Sequence, residues 1–472
     1  MTAPRERTDI KIQSERVVVA AVRLPASRYD KLDPFGELRS LAEQAGATVV
    51  GEMSQSLDRP VAGTYIGKGK LDELRGLCEA LDAGTIIFDH ELSPKQIANI
   101  EEATSRKVLD RSELILDIFA SRATTHEAKL QVELAQLEYT LPRLRAMWDH
   151  LERIVGGGGI AGIGTRGPGE QQLEIDRRLA QRKKLDLQSR LGEIQARKRR
   201  EVRERKVDHF TVGLVGYTNA GKSTLFNAMT AGGAYADDRP FATLISRTRQ
   251  WDLGGGLSVM LSDTVGFVRD LPTNLIASFR ATLEEATHAD LLLIVLDVAD
   301  QAAELQYDTV NNTLEEIFED VRALEAREGV QWTPPERVLL LNKIDRLPDN
   351  RELLAWQSKH PEAIAIVGRD PMDAGHAALR ERVKAAARGP VVELSITVPL
   401  SDAKTIHTIE NRGEVLARDY DTDERVTLRA RIGQRQLEQL RSSGARMVIE
   451  EPTKERGDNR AKVMKRPAAE SR

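Results

Sequence analysis

The sequence predicts a multidomain α/β protein, and three observations support that fold class. The chain has 472 residues, which corresponds to roughly three domains at about 150 residues per domain. Its composition, 40% hydrophobic and 30% charged residues, is typical of folded proteins and excludes a disordered or collagen-like chain. Short apolar runs alternate with helix-like segments along much of the sequence, which is the pattern of repeated βα units.

The first predicted unit is a small α/β domain over residues 15–110. Gly46 ends its first helix, and Ser93 followed by Pro94 forms a helix start with an N-cap and a proline at the first helical position. The order of the segments predicts a mostly parallel sheet. The predicted strands are residues 17–24, 47–53, 85–88 and 107–109, and the predicted helices are residues 37–45, 71–81 and 95–103.

The second predicted unit is a helical hairpin with a glycine-rich loop, over residues 111–206. Between residues 130 and 151 the apolar positions recur at alternating spacings of four and three, which is typical of a coiled-coil seam. Pro142 interrupts this seam and predicts a kink or a join between two helices. Residues 171–206 are again helical in composition, so the two segments predict antiparallel helices. The apolar stripe of the second helix consists of Leu187, Leu191 and Ile194.

The second arm of this hairpin is strongly basic. Residues 166–206 contain 14 Lys or Arg and 7 Asp or Glu, whereas the whole chain has a formal net charge of −4. Such a charge run is either a solvated helix face or a binding surface. The preceding loop is either a flexible hairpin tip or a thin element that enters a narrow, negatively charged cleft such as RNA. Its Gly162, Gly164 and Gly167 match a dinucleotide fingerprint in spacing only, because no strand precedes them.

Residues 211–229 predict a phosphate-binding loop. An apolar strand leads directly into the sequence GYTNAGKST, and a helix follows. The backbone N–H groups of such a loop and the helix N-terminus bind phosphate, Lys222 reaches the β- and γ-phosphates, and Ser223 offers its hydroxyl to Mg²⁺. The predicted nucleotide ligands of this loop are Gly216, Tyr217, Thr218, Asn219, Ala220, Gly221, Lys222, Ser223 and Thr224.

Two further motifs follow in the order typical of GTP-binding domains. In the first, the Asp263 carboxylate is placed to hold Mg²⁺ through water and the Gly266 N–H to meet the γ-phosphate. In the second, Asp345 can accept hydrogen bonds from guanine N1–H and the N2 amine, a pair that adenine does not offer. We therefore predict selection of GTP. The predicted ligands in these motifs are Asp263, Thr264, Val265, Gly266, Asn342, Lys343 and Asp345.

The segment between the first two motifs supplies a candidate switch threonine. Thr243 is predicted to reach Mg²⁺ and the γ-phosphate, with Thr248 as the alternative. Phe267 stands where many signalling GTPases carry a water-positioning glutamine, so we expect slow intrinsic hydrolysis that needs a group from a partner or from elsewhere in the chain. The predicted catalytic residues are Lys222, Thr243 and Gly266.

Two further sequence features bear on the binding of K⁺ and on the affinity for the guanine base. Asn219 stands where several potassium-stimulated GTPases have an asparagine ligand for K⁺, and its alternative role is to stabilise the loop. Residues 364–369 replace the Ser-Ala-Lys-like segment that usually completes a guanine site, so we expect weaker base affinity than in typical GTPases.

Several stretches upstream of the phosphate loop form a distinctive set with the motifs above. They are YIGKGK at 65–70, VLDR at 108–111, LILDIFA at 114–120, KLQVELAQL at 129–137, GTRGPGE at 164–170 and DRR at 176–178. With these stretches the chain resembles the HflX-type GTPases, a ribosome-associated branch of the P-loop translation-factor class. The chain departs from that family at residues 245–248, where Asp-Pro-Thr is usual, and in its longer glycine loop before Gly164.

The resemblance implies hydrolysis of GTP to GDP and phosphate on the large (50S) ribosomal subunit, and the splitting or rescue of stalled 70S ribosomes under stress. It implies 50S RNA as a partner, and neither DNA binding nor integral membrane association is expected. An alternative is a nucleotide-dependent ribosome or RNA binder with little turnover, and another is a second nucleotide site at residues 67–70. The implied RNA contacts are Gly164, Arg166, Gly167, Arg177 and Arg178.

The remaining segments complete the predicted domain organisation. A GTPase domain is expected over residues 207–388, a ferredoxin-like βαββαβ domain over 389–451, and a disordered tail over 452–472. The single cysteine, Cys78, excludes an intrachain disulfide and a cysteine metal cluster. Because the sequence shows no apolar targeting or membrane-spanning segment, we expect a cytoplasmic protein that associates with ribosomes.

Overall fold

The chain forms two compact units in a computed structural model: residues 1–251 with 258–380, and residues 252–257 with 381–472. Part of each unit is described. The described residues are 15–25, 27, 29–155, 168–230, 247–254, 256–264, 266–269, 285–327, 329–421, 424–442 and 446–450.

The first unit begins with a four-stranded parallel sheet in the order β2-β1-β3-β4. Its strands are β1 (Arg16–Arg23), β2 (Thr48–Ser56), β3 (Thr85–Phe88) and β4 (Lys107–Asp110), and its helices are α1 (Gly36–Gln44), α2 (Lys68–Ala80) and α3 (Pro94–Thr104). Ser93 caps α3 in a reciprocal capping box with Gln96. The predicted α/β class is therefore confirmed here, and the sheet is parallel throughout.

A further helix, α4 (Arg111–Arg122), follows β4 directly and was not predicted. Its apolar face is buried in the same core as α1, through Leu114, Ile115 and Phe119. Because Leu114 to Ile118 are apolar almost without interruption, their helical period is hard to recognise in the sequence. Packing against α1 gives the segment its place in the core.

Two long helices form the hairpin: α5 (His126–Val155) and α6 (Pro168–Asp208). Leu130 and Leu134 of α5 form a buried cluster with Leu187 and Leu191 of α6, as the apolar spacing predicts. Pro142 lies inside the continuous 30-residue helix α5, so the predicted join between two helices is wrong. A proline removes only one backbone donor, and the remaining hydrogen bonds keep the helix continuous.

The following sheet has six strands in the order β10-β9-β8-β5-β7-β6. The pairs β10–β9, β9–β8, β8–β5 and β5–β7 are parallel, so their carboxyl ends meet at one edge, where α/β proteins bind ligands. The strands are β5 (Thr211–Gly216), β6 (Arg247–Gly254), β7 (Leu257–Asp263), β8 (Leu291–Asp297), β9 (Glu336–Asn342) and β10 (Ile364–Ile366). The helices are α7 (Lys222–Met229), α8 (Ala303–Arg327), α9 (Arg351–Lys359) and α10 (Ala374–Arg388).

The second unit contains an antiparallel sheet in the order β12-β13-β11-β14. With its two helices it has the βαββαβ order and strand arrangement of a ferredoxin-like domain, as predicted. The elements are β11 (Val391–Pro399), α11 (Ala403–Arg412), β12 (Glu414–Asp421), β13 (Arg425–Gly433), α12 (Gln434–Ser442) and β14 (Val448–Glu450). The predicted tail, residues 452–472, lies outside the described residues.

None of the helices that the structure describes combines the length and the apolar composition needed to cross a membrane.

Candidate nucleotide-binding site

The loop between β5 and α7 has the backbone geometry of a phosphate-binding loop. Gly221, immediately before α7, has φ +98°, and a Cβ at this position would lie 2.4 Å from the side-chain nitrogen of Asn342. Only glycine satisfies both the left-handed backbone and this close approach. The N-terminus of α7 therefore begins with its N–H groups at the carboxyl edge of the sheet, where a phosphate can bind.

Lys222 is the first residue of α7, directly after this loop, and is 7% exposed. Its Nζ donates to the carbonyl oxygens of Gly216, at 3.1 Å, and Tyr217, at 2.7 Å. Burial lowers the pKa of Lys222 to about 8; nearby Lys343 acts in the same direction and Asp263 opposes it. The ammonium group is thus held where it can meet a phosphate that restores its preference for the charged form.

The lowered pKa of Lys222 predicts a pH-dependent nucleotide affinity. Above about pH 8 the Lys222 amine of the nucleotide-free protein is mostly neutral. Nucleotide binding must then be accompanied by uptake of a proton at Lys222. The affinity for nucleotide should therefore fall as the pH rises, by a factor that approaches about tenfold per pH unit. Calorimetric titration with GDP between about pH 7 and pH 8.7, in two buffers of different ionisation enthalpy, measures both effects. An affinity that is constant over this range, without proton uptake, would contradict the assignment.

Ser223, a predicted Mg²⁺ ligand, lies beside Asp263, which is predicted to hold the ion through water. The Ser223 hydroxyl donates to Asp263 Oδ2 at 2.7 Å, and Asp263 is 1% exposed at the end of β7. A hydroxyl and a carboxylate beside a phosphate loop are hard oxygen ligands of the kind that Mg²⁺ prefers, so this donor set fits the ion. Gly266 lies beside the ammonium group of Lys222, because a Cβ at position 266 would be 3.0 Å from Lys222 Nζ.

Four further residues were predicted to lie at the nucleotide site: Thr243, Thr248, Thr264 and Val265. The buried Thr264 hydroxyl donates to the backbone oxygen of Leu214 at 2.6 Å, so it links β7 to β5. Thr248, the alternative switch threonine, lies in β6, where its hydroxyl contacts Ser262 and Glu285, each at 2.9 Å. Thr243 and Val265 lie outside the described residues.

The Asn342–Asp345 motif is attached directly to the phosphate loop. Asn342 donates from its side chain to the Ala220 oxygen at 2.7 Å, and Lys343 donates to the Asn219 oxygen at 2.7 Å. Lys343 also pairs with Asp297 at 2.6 Å. The motif therefore fixes the loop while Asp345 stands in a short 3₁₀ helix beyond it.

Asn219 and Thr224, two further predicted ligands, also belong to the loop. Asn219 is exposed and adopts a left-handed backbone with φ +62°. Asparagine tolerates this conformation better than most residues. Thr224 is half-buried within α7.

Tyr217 connects the phosphate loop to helix α1, a role that the sequence did not predict. Its hydroxyl donates to the Glu37 carboxylate of α1 and accepts from the Arg269 backbone N–H at 2.8 Å. Burial and the neighbouring Glu37 raise the pKa of Tyr217 well above its usual value, so the phenol stays protonated. Two parts of the nucleotide site, the loop and the segment after Gly266, thus meet at one hydroxyl.

Asp89, at the carboxyl end of β3, is surrounded by three buried arginines. It accepts from Arg111 at 2.8 Å, from Arg269 at 2.8 Å and from Arg23 at 3.3 Å, and it is 1% exposed. Burial alone would raise its pKa, but the arginines hold the pKa of Asp89 below its usual value. Because Arg269 follows Gly266 by three residues, this cluster anchors the segment after Gly266 to the N-terminal sheet.

Phe267 bridges the phosphate loop by its backbone. Its N–H donates to Gly216 at 3.1 Å and its carbonyl accepts from Thr218 at 2.8 Å, while its side chain is 3% exposed in the core. A ring in this position supplies no hydrogen bond to a water molecule.

The predicted RNA contacts are only partly described. Gly164, Arg166 and Gly167 lie outside the described residues. Arg177 and Arg178 both lie in α6, and Arg178 is exposed.

Comparisons with known proteins identify the family. Three family models match in succession: "GTP-binding GTPase N-terminal" at residues 33–120, "GTP-binding GTPase Middle Region" at 122–206 and "50S ribosome-binding GTPase" at 211–342. GTPase HflX of Lacrimispora saccharolytica is 38% identical over 419 residues, covering 89% of this chain and 94% of the relative. GTPase HflX of Escherichia coli K12 is 44% identical over 319 residues, covering 67% and 71%. The chain therefore belongs to the HflX family of GTPases, enzymes that hydrolyse GTP.

Proposed function

We propose that this GTPase binds the large ribosomal subunit and uses GTP binding and hydrolysis to split or rescue stalled 70S ribosomes under stress. The match of residues 211–342 to a model described as "50S ribosome-binding GTPase" supports the partner. That segment contains Lys222, Asp263 and Asn342, the residues that meet at the candidate nucleotide site.

The observation that carries the proposal is the exposed basic surface of α6. Three lysines of this helix, Lys183, Lys184 and Lys198, pair with glutamates of α5 and so stabilise the hairpin. Five arginines of α6 also occupy exposed positions, and one of them, Arg190, pairs with Asp186 at 2.9 Å. Guanidinium groups at exposed positions can contact RNA phosphates. These exposed arginines are Arg178, Arg182, Arg190, Arg197 and Arg200.

In the proposed mechanism the residues of the loop bind and orient the triphosphate. Lys222 balances the charge that develops on the β- and γ-phosphates, and the Gly266 N–H binds the γ-phosphate. Mg²⁺, held by Ser223 with Asp263, neutralises phosphate charge when bound. Loss of the γ-phosphate removes the contact at Gly266, and Arg269 and Tyr217 connect that segment to the N-terminal sheet.

Hydrolysis in this mechanism depends on a water-orienting group outside the described site. Phe267 is buried and offers no donor or acceptor from its side chain. We expect the ribosome to supply or arrange that group, so that turnover is slow in the free protein. The same observation favours a second candidate function, a nucleotide-dependent ribosome or RNA binder with little turnover.

Co-sedimentation with purified 50S subunits tests the proposed function. We expect the protein to pellet with 50S in the presence of a non-hydrolysable GTP analogue and to pellet less with GDP. A double variant, Arg178→Glu with Arg182→Glu, should pellet less with the analogue. Arg351→Glu, which changes an exposed arginine on α9, is the matched control and should pellet like the wild type. Equal and negligible pelleting in both nucleotide states would contradict the proposal.

Asn219 is proposed as a ligand of K⁺ at the phosphate loop. We expect GTP hydrolysis in the presence of 50S to be several-fold faster in KCl than in NaCl at equal ionic strength. An Asn219→Ala variant should lose this difference, because it lacks the amide oxygen that would hold the ion. Rates that are equal in the two salts for the wild type would show that Asn219 only stabilises the loop.

A further inference from the structure

The loop after β10 contains an arginine in contact with the residue that reads the base. Strand β10 pairs in parallel with β9, and Ile366 lies opposite Asn342. The chain therefore leaves β10 beside the Asn342–Asp345 motif. Arg369 Nη2 lies 2.7 Å from Asp345 Oδ2, and the Asp345 side chain is 23% exposed.

Position 368 brings the backbone of this loop close to the motif. The Gly368 N–H donates to Asn342 Oδ1 at 2.9 Å, and a Cβ at this position would lie 2.9 Å from the same oxygen. A larger residue would push the loop away from Asn342, so glycine permits this approach. Residues 367–369 thus take the place of the Ser-Ala-Lys-like segment that the sequence lacks.

The loop is fixed by its own hydrogen bonds. The Asp373 carboxylate accepts from the backbone N–H groups of Val367 and Gly375, each at 3.0 Å. The Asp370 N–H donates to the Val367 oxygen at 2.9 Å. Because both ends of the turn are held, the backbone of Arg369 is positioned next to Asp345 rather than carried by an unconstrained segment.

Arg369 and guanine present the same donor chemistry to Asp345. The N1–C2–N2 edge of guanine is a guanidine-like group with parallel N–H donors, and an arginine side chain presents a planar fork of N–H donors to a carboxylate. Both require the oxygens of one carboxylate, and Oδ2 of Asp345 already accepts from Arg369. A base that pairs with both oxygens therefore competes with this arginine for Oδ2.

We propose that Arg369 determines guanine-nucleotide affinity by competing with the base for Asp345. The proposal rests on the base-reading role of Asp345 in the proposed function. The competition weakens binding of GTP and GDP to a similar extent, because it acts at the base and not at the phosphates.

Removal of the arginine tests the competition. Arg369→Ala should bind GDP about two- to fivefold more tightly at low ionic strength, the range that a partly exposed ion pair permits. The KM for GTP should fall by a similar factor while kcat stays unchanged. The measurement is titration with a fluorescent GDP analogue. Arg351→Ala, which removes an exposed arginine paired with Asp349, is the matched control and should leave affinity unchanged.

The dependence of GDP affinity on ionic strength tests whether Arg369 acts through its ion pair with Asp345. Choline chloride screens the ion pair, so the difference between wild type and Arg369→Ala should shrink as this salt is added. Affinity for GDP that is unchanged or weaker in Arg369→Ala at low salt would overturn the proposal. Weaker binding would mean that the arginine contacts the base instead of competing with it.

A second variant tests the assumption about Asp345 independently. Asp345→Asn should lose affinity for GDP and gain affinity for xanthosine diphosphate, whichever result Arg369→Ala gives. In the Asp345→Asn background, Arg369→Ala should not change xanthosine diphosphate affinity, because the ion pair is already absent. A normal GDP affinity in Asp345→Asn would refute the base-reading role itself.

Discussion

Lys222→Met is expected to lower the rate of GTP hydrolysis by a factor of about 10²–10³ without unfolding the protein. The activity falls because a preorganised charged donor to the phosphates is removed, and such donors contribute this magnitude in enzymes. The fold should persist because the buried ammonium is not a net source of stability. Its pKa, lowered by burial to about 8, shows that the folded protein disfavours the charged form.

Single-turnover hydrolysis, with GDP affinity and the melting temperature measured on the same preparation, tests this variant. We expect GDP affinity to fall as well, because the proposed mechanism has Lys222 in contact with the β-phosphate. A rate of hydrolysis within a factor of about three of the wild-type rate would contradict a catalytic role of Lys222. Such a small loss of rate is far below the loss expected when a charged donor to the phosphates is removed. A collapse of the melting temperature would show instead that the lysine supports the loop.

Asp89→Ala is expected to destabilise the first unit by about 3–5 kcal/mol, the usual cost of removing one partner from a buried charge cluster. The carboxylate is 1% exposed and contacts Arg23, Arg111 and Arg269. Its removal leaves those positive charges close together in a buried place. Urea denaturation of the nucleotide-free protein measures the free energy of unfolding.

A carboxylate in the same domain provides the control. Glu52 pairs with Arg39 at 2.5 Å, but both side chains are more than one-third exposed, at 35% for Glu52 and 37% for Arg39. Glu52→Ala should therefore cost less than about 1 kcal/mol. If Asp89→Ala cost no more than this control, the cluster would not be an anchor between the N-terminal sheet and the segment after Gly266.

The backbone of the candidate nucleotide site was predictable because the signals for it are local in the sequence. A strand, a glycine-rich turn and a helix start fall within residues 211–229, so the backbone of the phosphate loop follows from neighbouring residues. Its partners Asp263 and Asn342 could be recognised because each ends an apolar strand of a parallel sheet. Such strand ends meet at one edge whatever the length of the connecting chain.

The Asp89 cluster was not predictable, because its members lie far apart in the sequence. Arg111 and Arg269 are separated by 158 positions, and neither belongs to a motif with a fixed spacing. One signal was present: Arg23, Asp89 and Arg111 each stand at or directly after the end of a strand in the same sheet. That placement predicts a charged edge, but not which element of the chain would cover it.

Phosphate release from GTP, measured with and without purified 50S subunits, tests the central claim most directly. We expect the free protein to hydrolyse GTP slowly and the ribosomal subunit to accelerate it strongly, with no acceleration in Lys222→Met. A rate that is the same with and without 50S, under conditions in which GTP is bound, would contradict a ribosome-dependent GTPase.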